Sequence, residues 1–185
     1  MNQNIKIPFV DLYPQYEELQ SEIDLAIRDI ITRSDYITGP TVEKFEQAIM
    51  DYTGAEACAS IGSGTNALVC ALKALDIGPG HQVMTVGHTF VSTTEAIVNV
   101  GATSVFVDID KFYHLDVNKM ELTDTLKAIL FVDLYGQTPD IDKILSFAKQ
   151  FNLKVIEDAA QSFGSEYKGK KVGSVADLTC FSFNP

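Results

Sequence analysis

Val155-Ile156-Glu157-Asp158-Ala159-Ala160-Gln161 is the stretch on which the reading of this chain turns. An apolar run ends in carboxylates, and an amide follows three residues after Asp158. The run predicts a buried strand with Asp158 at its carboxyl end, the edge at which open α/β sheets hold their ligands. A carboxylate buried there is costly unless a cation or a hydrogen-bond donor meets it. Asp158 also reads as the cap of a following helix, and on this stretch alone that plainer reading stands beside the first.

The segments on either side repeat one pattern. Val83–Val86 reads as a strand and precedes a helix over about 92–100; Ser104–Val107 ends at Asp108. Ala128–Val132 ends at Asp133, and Leu134-Tyr135-Gly136 continues as a loop. Asp140 then reads as the N-cap of a helix carrying Ile141, Ile144, Leu145 and Ala148. Strands alternating with helices predict an α/β domain with a parallel or mainly parallel sheet flanked by helices. The last run, Leu178–Phe183, is strand-like and meets Pro185 with no closing helix, which reads as a domain cut in mid-course.

Toward the amino end, residues 1–14 read as an extended arm. Leu19, Ile23, Ala26, Ile27, Ile30 and Ile31 then recur at helical spacing, as an amphipathic helix packed on something larger. Thr41 is the expected N-cap of a second helix carrying Val42, Phe45, Ala48, Ile49 and Tyr52, with Gly54 suited to its C-terminus. A short strand is expected over Ala57–Ile61, and a third helix carries Ala67, Leu68, Ala71, Leu72 and Leu75.

Composition excludes some classes. With 46% hydrophobic and 21% charged residues among 185, the chain has an ordinary globular make-up. A formal net charge of −11 argues against general binding to nucleic acid or to anionic membranes, which need basic surface. Cys58, Cys70 and Cys180 and the three histidines, His81, His88 and His114, lack metal-ligand spacing, so free thiols and no metal centre are expected. No signal peptide is read at the start, and no apolar run reaches the roughly 18 residues that a membrane span needs. Cytoplasm is the expected compartment.

Two further stretches carry chemistry. Gly62-Ser63-Gly64-Thr65-Asn66 lies between the expected strand and helix, where glycines let the backbone turn and first-turn N–H groups join the Ser63 and Thr65 hydroxyls around one point. Such a point suits an anion, phosphate above all, although a plain capped turn has the same composition. No Gly-Lys-Ser/Thr follows, and the third glycine of a dinucleotide loop is missing. In Gly87-His88-Thr89-Phe90-Val91-Ser92, an aromatic at the sheet's carboxyl edge can stack on a flat ligand or fold back onto the core. Each signal alone has a plain structural reading. Together, Gly64-Thr65-Asn66, Phe90, Asp158 and a Ser182 hydroxyl would satisfy a flat, phosphorylated, basic heteroaromatic, and pyridoxal phosphate is that molecule. Gln161 lies where it could reach the ring substituents.

On these residues the chain resembles the sugar aminotransferases of the DegT/DnrJ/EryC1/StrS type, of fold type I, over its whole length. Ile7–Leu12 is similar to the family's opening, and Gly39-Pro40-Thr41-Val42-Glu43-Lys44-Phe45-Glu46 to its "GP…FE" segment. Ser63-Gly64-Thr65-Asn66-Ala67-Leu68 is similar to its "SGTxAL" phosphate loop, and His88-Thr89-Phe90 to its stacking segment. Glu157–Gln161 is similar to its "EDxAQ" signature, and Cys180–Phe183 to the run that leads to its Schiff-base lysine. Two departures stand out: Gly80-His81-Gln82-Val83 where the family usually has "GDEV", and Asp133 where it usually has the histidine of "VHLYG".

The resemblance implies roles. Gly64, Thr65, Asn66 and Ser182 take the phosphate, Phe90 the ring face, Asp158 the ring nitrogen and Gln161 the phenolic-oxygen side. The lysine falls two positions beyond Pro185. It implies a PLP-dependent amino transfer from an amino-acid donor, glutamate, to a nucleotide-linked keto-sugar, in a homodimer. Residues 1–35 become an N-terminal arm and helix, and 36–185 the first part of the large cofactor-binding domain, with the rest of that domain and a small C-terminal domain beyond. A sugar dehydratase of the same family, with histidine for the lysine, stays open as an alternative. So do a non-enzymatic regulatory homologue and a flavin- or nucleotide-binding α/β module.

Overall fold

The computed structural model describes residues 7–183. Two compact units divide between Phe45 and Glu46. The first holds α1, Tyr13–Arg33, which starts earlier than the apolar spacing predicts because Pro14 suits the first helical turn. None of its residues is buried. Helix α2, Pro40–Thr53, runs across the division. It begins at Pro40, so Thr41 lies inside the helix rather than capping it, and its Oγ1 meets Asp35 and Arg33. At the other end Gly54 takes φ +80° and its N–H returns to the Met50 carbonyl at 2.8 Å, as expected of a C-terminal glycine. Ile5 and Pro185 lie outside the described residues.

The second unit is a parallel sheet with helices on its faces. Helix α3 is Gly64–Ala74, β1 Gln82–Val86, α4 Val91–Asn99, β2 Thr103–Val107 and β3 Leu126–Val132. Helix α5, Ile141–Phe151, β4, Lys154–Asp158, a small hairpin of β5, Glu166–Tyr167, and β6, Lys170–Lys171, and finally β7, Leu178–Cys180, complete the order. The main sheet runs β2-β1-β3-β4-β7 with every pairing parallel. Strand β3 is buried at every position except Lys127, as a central strand covered on both faces must be. The β1-α4-β2 crossover moves outward one way and β3-α5-β4 the other. Right-handed crossovers therefore put α4 and α5 on opposite faces, and the sequence order switches between β1 and β3. Ligand sites of such sheets open at the carboxyl ends beside that switch.

One expected strand is missing. Ala57–Ile61 pairs with no neighbour among the described residues. Its alanines and serine bury little apolar area, and the Ser60 N–H donates to the Glu46 carboxylate instead of a ladder partner. The three cysteines are free, as expected, with Cys180 buried and Cys70 exposed.

Candidate active site

Helix α3 starts at Gly64, so Gly62 and Ser63 precede it and Gly64-Thr65-Asn66 form its first turn. Ser63 is the N-cap: its Oγ accepts the Asn66 N–H at 3.2 Å, and its carbonyl accepts the Ala67 N–H at 2.9 Å. The opening N–H groups of a helix have no partner within it, and the helix dipole makes that end attractive to an anion. Ser182, just beyond β7, reaches the same point. A Cβ built on Gly64 would lie 2.9 Å from Ser182 Cβ and 3.2 Å from its Oγ, so only glycine allows this approach. Thr65 Oγ1 meets Ser92 Oγ at 2.7 Å and ties the start of α3 to the start of α4. Gly64, Thr65, Asn66 and Ser182 thus gather at one helix N-terminus.

Asp158 lies at the carboxyl end of β4 with 6% of its surface exposed. Its Oδ2 accepts from Thr93 Oγ1 at 2.7 Å, and its Oδ1 from the Ala160 N–H at 3.3 Å. Because Thr93 gives its proton to Asp158, the 2.9 Å contact between Thr89 and Thr93 is donated by Thr89. No helix follows Asp158: residues 160–164 form turns, so the helix-cap reading fails. Burial pushes the Asp158 carboxyl up, and the Thr93 and Ala160 bonds pull it back. A buried carboxylate met only by neutral donors is suited to a cationic partner.

Phe90 precedes α4 and is 68% exposed, which overturns its reading as a core aromatic. Its carbonyl accepts the Thr93 N–H at 3.2 Å, so ring and relay share one turn. Gln161 sits in the turn after β4, where its Oε1 accepts the Tyr135 N–H at 2.9 Å. That bond joins the turn to the loop after β3; no described bond joins Gln161 to Asp158.

Several site residues escaped the sequence reading. Ser92 and Thr93 belong to a Ser-Thr-Thr run at the start of α4, and both are buried, which that run alone does not announce. A wall of exposed aromatics also stands at the carboxyl edge. His88 stacks on Tyr113 at 5.3 Å, Tyr113 meets Tyr135 edge-on at 6.0 Å, and Tyr135 Oη lies 3.5 Å from His88 Nε2. Tyr113 and Tyr135 both take left-handed backbone, φ +70° and +59°, which bulky residues adopt at a cost. Nothing in the spacing announces this. Beside the wall, Gly87, His88, Phe106, Val107, Asp108 and Ile109 line a cavity of about 330 Å³.

The start of α3, the exposed ring of Phe90 and the buried carboxylate of Asp158 are parts that a phosphorylated ligand with a basic centre would need. The family profile described as the DegT/DnrJ/EryC1/StrS aminotransferase family matches residues 17–185, and the chain belongs to that family. It is 42% identical, over 97% of its length and 51% of the relative's, to a UDP-2-acetamido-2-deoxy-3-oxo-D-glucuronate aminotransferase of Pseudomonas aeruginosa. It is 40% identical, over 98% of its length and 50% of the relative's, to a protein of Geobacillus stearothermophilus described as a pleiotropic regulatory protein. Among solved structures it resembles Bacillus subtilis ntda with bound cofactor PMP, at a TM-score of 0.91 and 32% identity over 100% of this chain and 42% of that one. The chain spans about half the length of the curated relatives it matches.

Proposed function

We propose that this chain forms the cofactor-binding part of a PLP-dependent aminotransferase that converts a nucleotide-linked keto-sugar to an amino-sugar, with glutamate as amino donor. The carrying observation is the pairing of an anion cradle at Gly64 and Ser182 with a buried carboxylate, Asp158, at the same sheet edge. The residues suit the cofactor in charge and shape: hydroxyls and helix amides for phosphate, an exposed ring for a flat heterocycle, an acid for a ring nitrogen. The phosphate falls to Gly64, Thr65, Asn66 and Ser182, the ring face to Phe90, the ring nitrogen to Asp158, and the phenolic-oxygen side to Gln161.

Bound pyridoxal phosphate supplies an electron sink conjugated to the amine-bearing carbon of the substrate. The work of the chain is to orient and charge it. Asp158, held by Thr93 and Ala160, keeps a proton on the ring nitrogen through an ion pair. Thr89 fixes Thr93, so Thr93 donates to Asp158 and does not turn away. Thr65 and Ser92 lock the two helix starts together and keep the phosphate end from drifting. The proton-moving lysine is the one that the family resemblance puts two positions beyond Pro185.

The nucleotide-sugar class rests on the name of the P. aeruginosa relative. Residues 1–35 act as an arm and helix, and 36–185 as the first part of the large domain, of a homodimer in the cytoplasm. No helix among the described residues is long and apolar enough to cross a membrane, which accords with that compartment. A second reading, a regulatory homologue, is favoured by the G. stearothermophilus relative.

The test uses the purified full-length protein. Added pyridoxal phosphate should produce a visible absorbance band that borohydride reduction removes, and glutamate should convert the cofactor to its amine form. A band without glutamate turnover favours the regulatory reading. No band at saturating cofactor contradicts both the cofactor and the enzyme assignment.

A further inference from the structure

Beneath the site, on the opposite face of the sheet from Asp158, lie two acids that the proposed chemistry does not use. Asp133 follows β3 and Glu157 sits in β4, and both have 0% of their surface exposed. Asp133 Oδ2 accepts from Ser162 Oγ at 3.1 Å. Glu157 Oε2 accepts from Thr179 Oγ1 at 2.7 Å and from the Gly173 N–H at 3.2 Å. The remaining oxygens, Asp133 Oδ1 and Glu157 Oε1, are buried and meet no donor. Val132 pairs with Asp158 and the Asp133 N–H reaches the Asp158 carbonyl at 3.1 Å, so by the alternation of a strand Asp133 leaves β3 on the same face as Glu157 leaves the neighbouring β4.

Two carboxylates have no hydrogen to share. Left ionised side by side, they would bury two like charges and two unmet acceptors, each costing kilocalories. A single proton removes both faults. Glu157 already accepts two donors, which favour its ionised form, whereas Asp133 accepts one. By that count a proton sits better on Asp133 than on Glu157.

We propose that Asp133 and Glu157 share one proton, and that this acid pair positions the carboxyl end of β7, and with it Ser182, against the start of α3. Among the described residues, strand β7 pairs with β4 over Leu178–Cys180. Thr179 at its centre and Gly173 before it are both held by Glu157. Asp133 holds Glu157 from the other side and carries Ser162, which ties in the turn after β4. One proton thus joins β3, β4, β7 and that turn. Phe181 then packs on Gly173, where an added Cβ would lie 2.9 Å from its ring, and Ser182 follows.

The titratable groups around the pair are consistent with this. Burial, then the Glu157 charge, lifts Asp133 to about 9, with Asp158 adding to the rise. Burial also raises Glu157, but Thr179, Gly173 and Asp133 draw it back. Cys180, on β7, is pushed up to about 12 and is neutral. No ion pair among the described residues includes Asp133 or Glu157.

The inference touches the proposed function only where Ser182 is said to meet phosphate. Infrared difference spectroscopy of the full-length wild-type protein against Asp133→Asn, recorded once with and once without pyridoxal phosphate, reads the pair independently of catalysis. At neutral pH the carbonyl stretch of a protonated carboxylic acid should be present in both states. It should vanish above about pH 9 and be missing in Asp133→Asn. Absence of the band from the wild-type protein, or its survival unchanged in Asp133→Asn, overturns the shared proton. An unfolding midpoint that depends on the choice of Na⁺ or K⁺, without the band, would assign the gap to a cation instead.

Positioning is read from cofactor affinity. Asp133→Asn keeps a donor for Glu157 and an acceptor for Ser162, so it should bind within about twofold of wild type. Asp133→Leu should bind about tenfold more weakly, since it strands a buried carboxylate. Thr179→Val, which leaves the pair intact, should retain the infrared band and weaken binding a few fold. Equal affinity in all of them overturns the positioning role, and equal loss in Asn and Leu does the same.

Discussion

Glu157 and Asp158 are neighbours on one strand, almost equally buried, yet they point to opposite faces and are answered in different ways. Glu157 is met from within the scaffold: the Thr179 hydroxyl and the Gly173 N–H both donate to its Oε2. Asp158 has only a threonine hydroxyl and one backbone amide among the described residues, both neutral. The first carboxylate is tied into the scaffold. The second is left short of a counter-charge, and that shortage is what a basic ring nitrogen would fill. Burial alone does not mark a functional acid; the distinction lies in which partners the fold withholds.

The contrast gives a graded set of expectations. The largest effect belongs to Asp158→Asn. Thr93 can still donate to the amide oxygen, so the fold should stand, while turnover falls by about a thousandfold for loss of the charge that meets the ring. Glu157→Gln should leave turnover far closer to wild type, because a neutral amide still accepts from Thr179. Steady-state kinetics of the two neighbours breaks the comparison if they fall equally.

Gly64→Ala comes next. The new methyl would press on Ser182 from 2.9 Å, and overpacking of this kind costs about 1–3 kcal/mol, so cofactor affinity should drop by ten- to a hundredfold in a binding titration. Thr93→Val is milder. Thr93 lowers the Asp158 pKa, so its removal lets that pKa rise further, and the acid limb of the kcat/KM profile should move to higher pH, with about tenfold lost at neutral pH.

A separate effect is on stability against pH. The folded pKa of Asp133, about 9, lies above its ordinary value of 3.8, so the folded state binds the extra proton between those limits. Its contribution is fully present below the ordinary value and declines as pH rises toward about 9. Unfolding midpoints should therefore fall across that window, and Asp133→Asn should flatten the slope.

Much of this arrangement was legible before any coordinates. The alternation of apolar runs with helical spacing gave the parallel sheet, because strands buried on both faces carry continuous apolar sequence. Asp158 was placed at a strand end by the same reasoning. The gathering of Gly64, Thr65 and Ser182 needed the family motifs, since local spacing says nothing of a contact more than a hundred residues apart. Ala57–Ile61 misled because β-type composition predicts extension but not a partner. Phe90 could be read two ways until its exposure was known. Ser92 and Thr93 hid in a helix whose burial depends on what packs above it. The nearness of Asp133 and Glu157 on one sheet face was invisible for a similar reason: Asp133 drew notice only as a departure from the family pattern, and Glu157 lies across a crossover.

The most direct test of the central claim, that Asp158 meets a protonated ring nitrogen, is nuclear magnetic resonance of the full-length protein loaded with pyridoxal phosphate isotopically labelled at that nitrogen. The wild-type protein should show the shift of a protonated pyridine nitrogen through neutral pH, and Asp158→Asn should show the unprotonated one. An unprotonated nitrogen in the wild-type protein, or the same shift in both, would contradict the role given to Asp158.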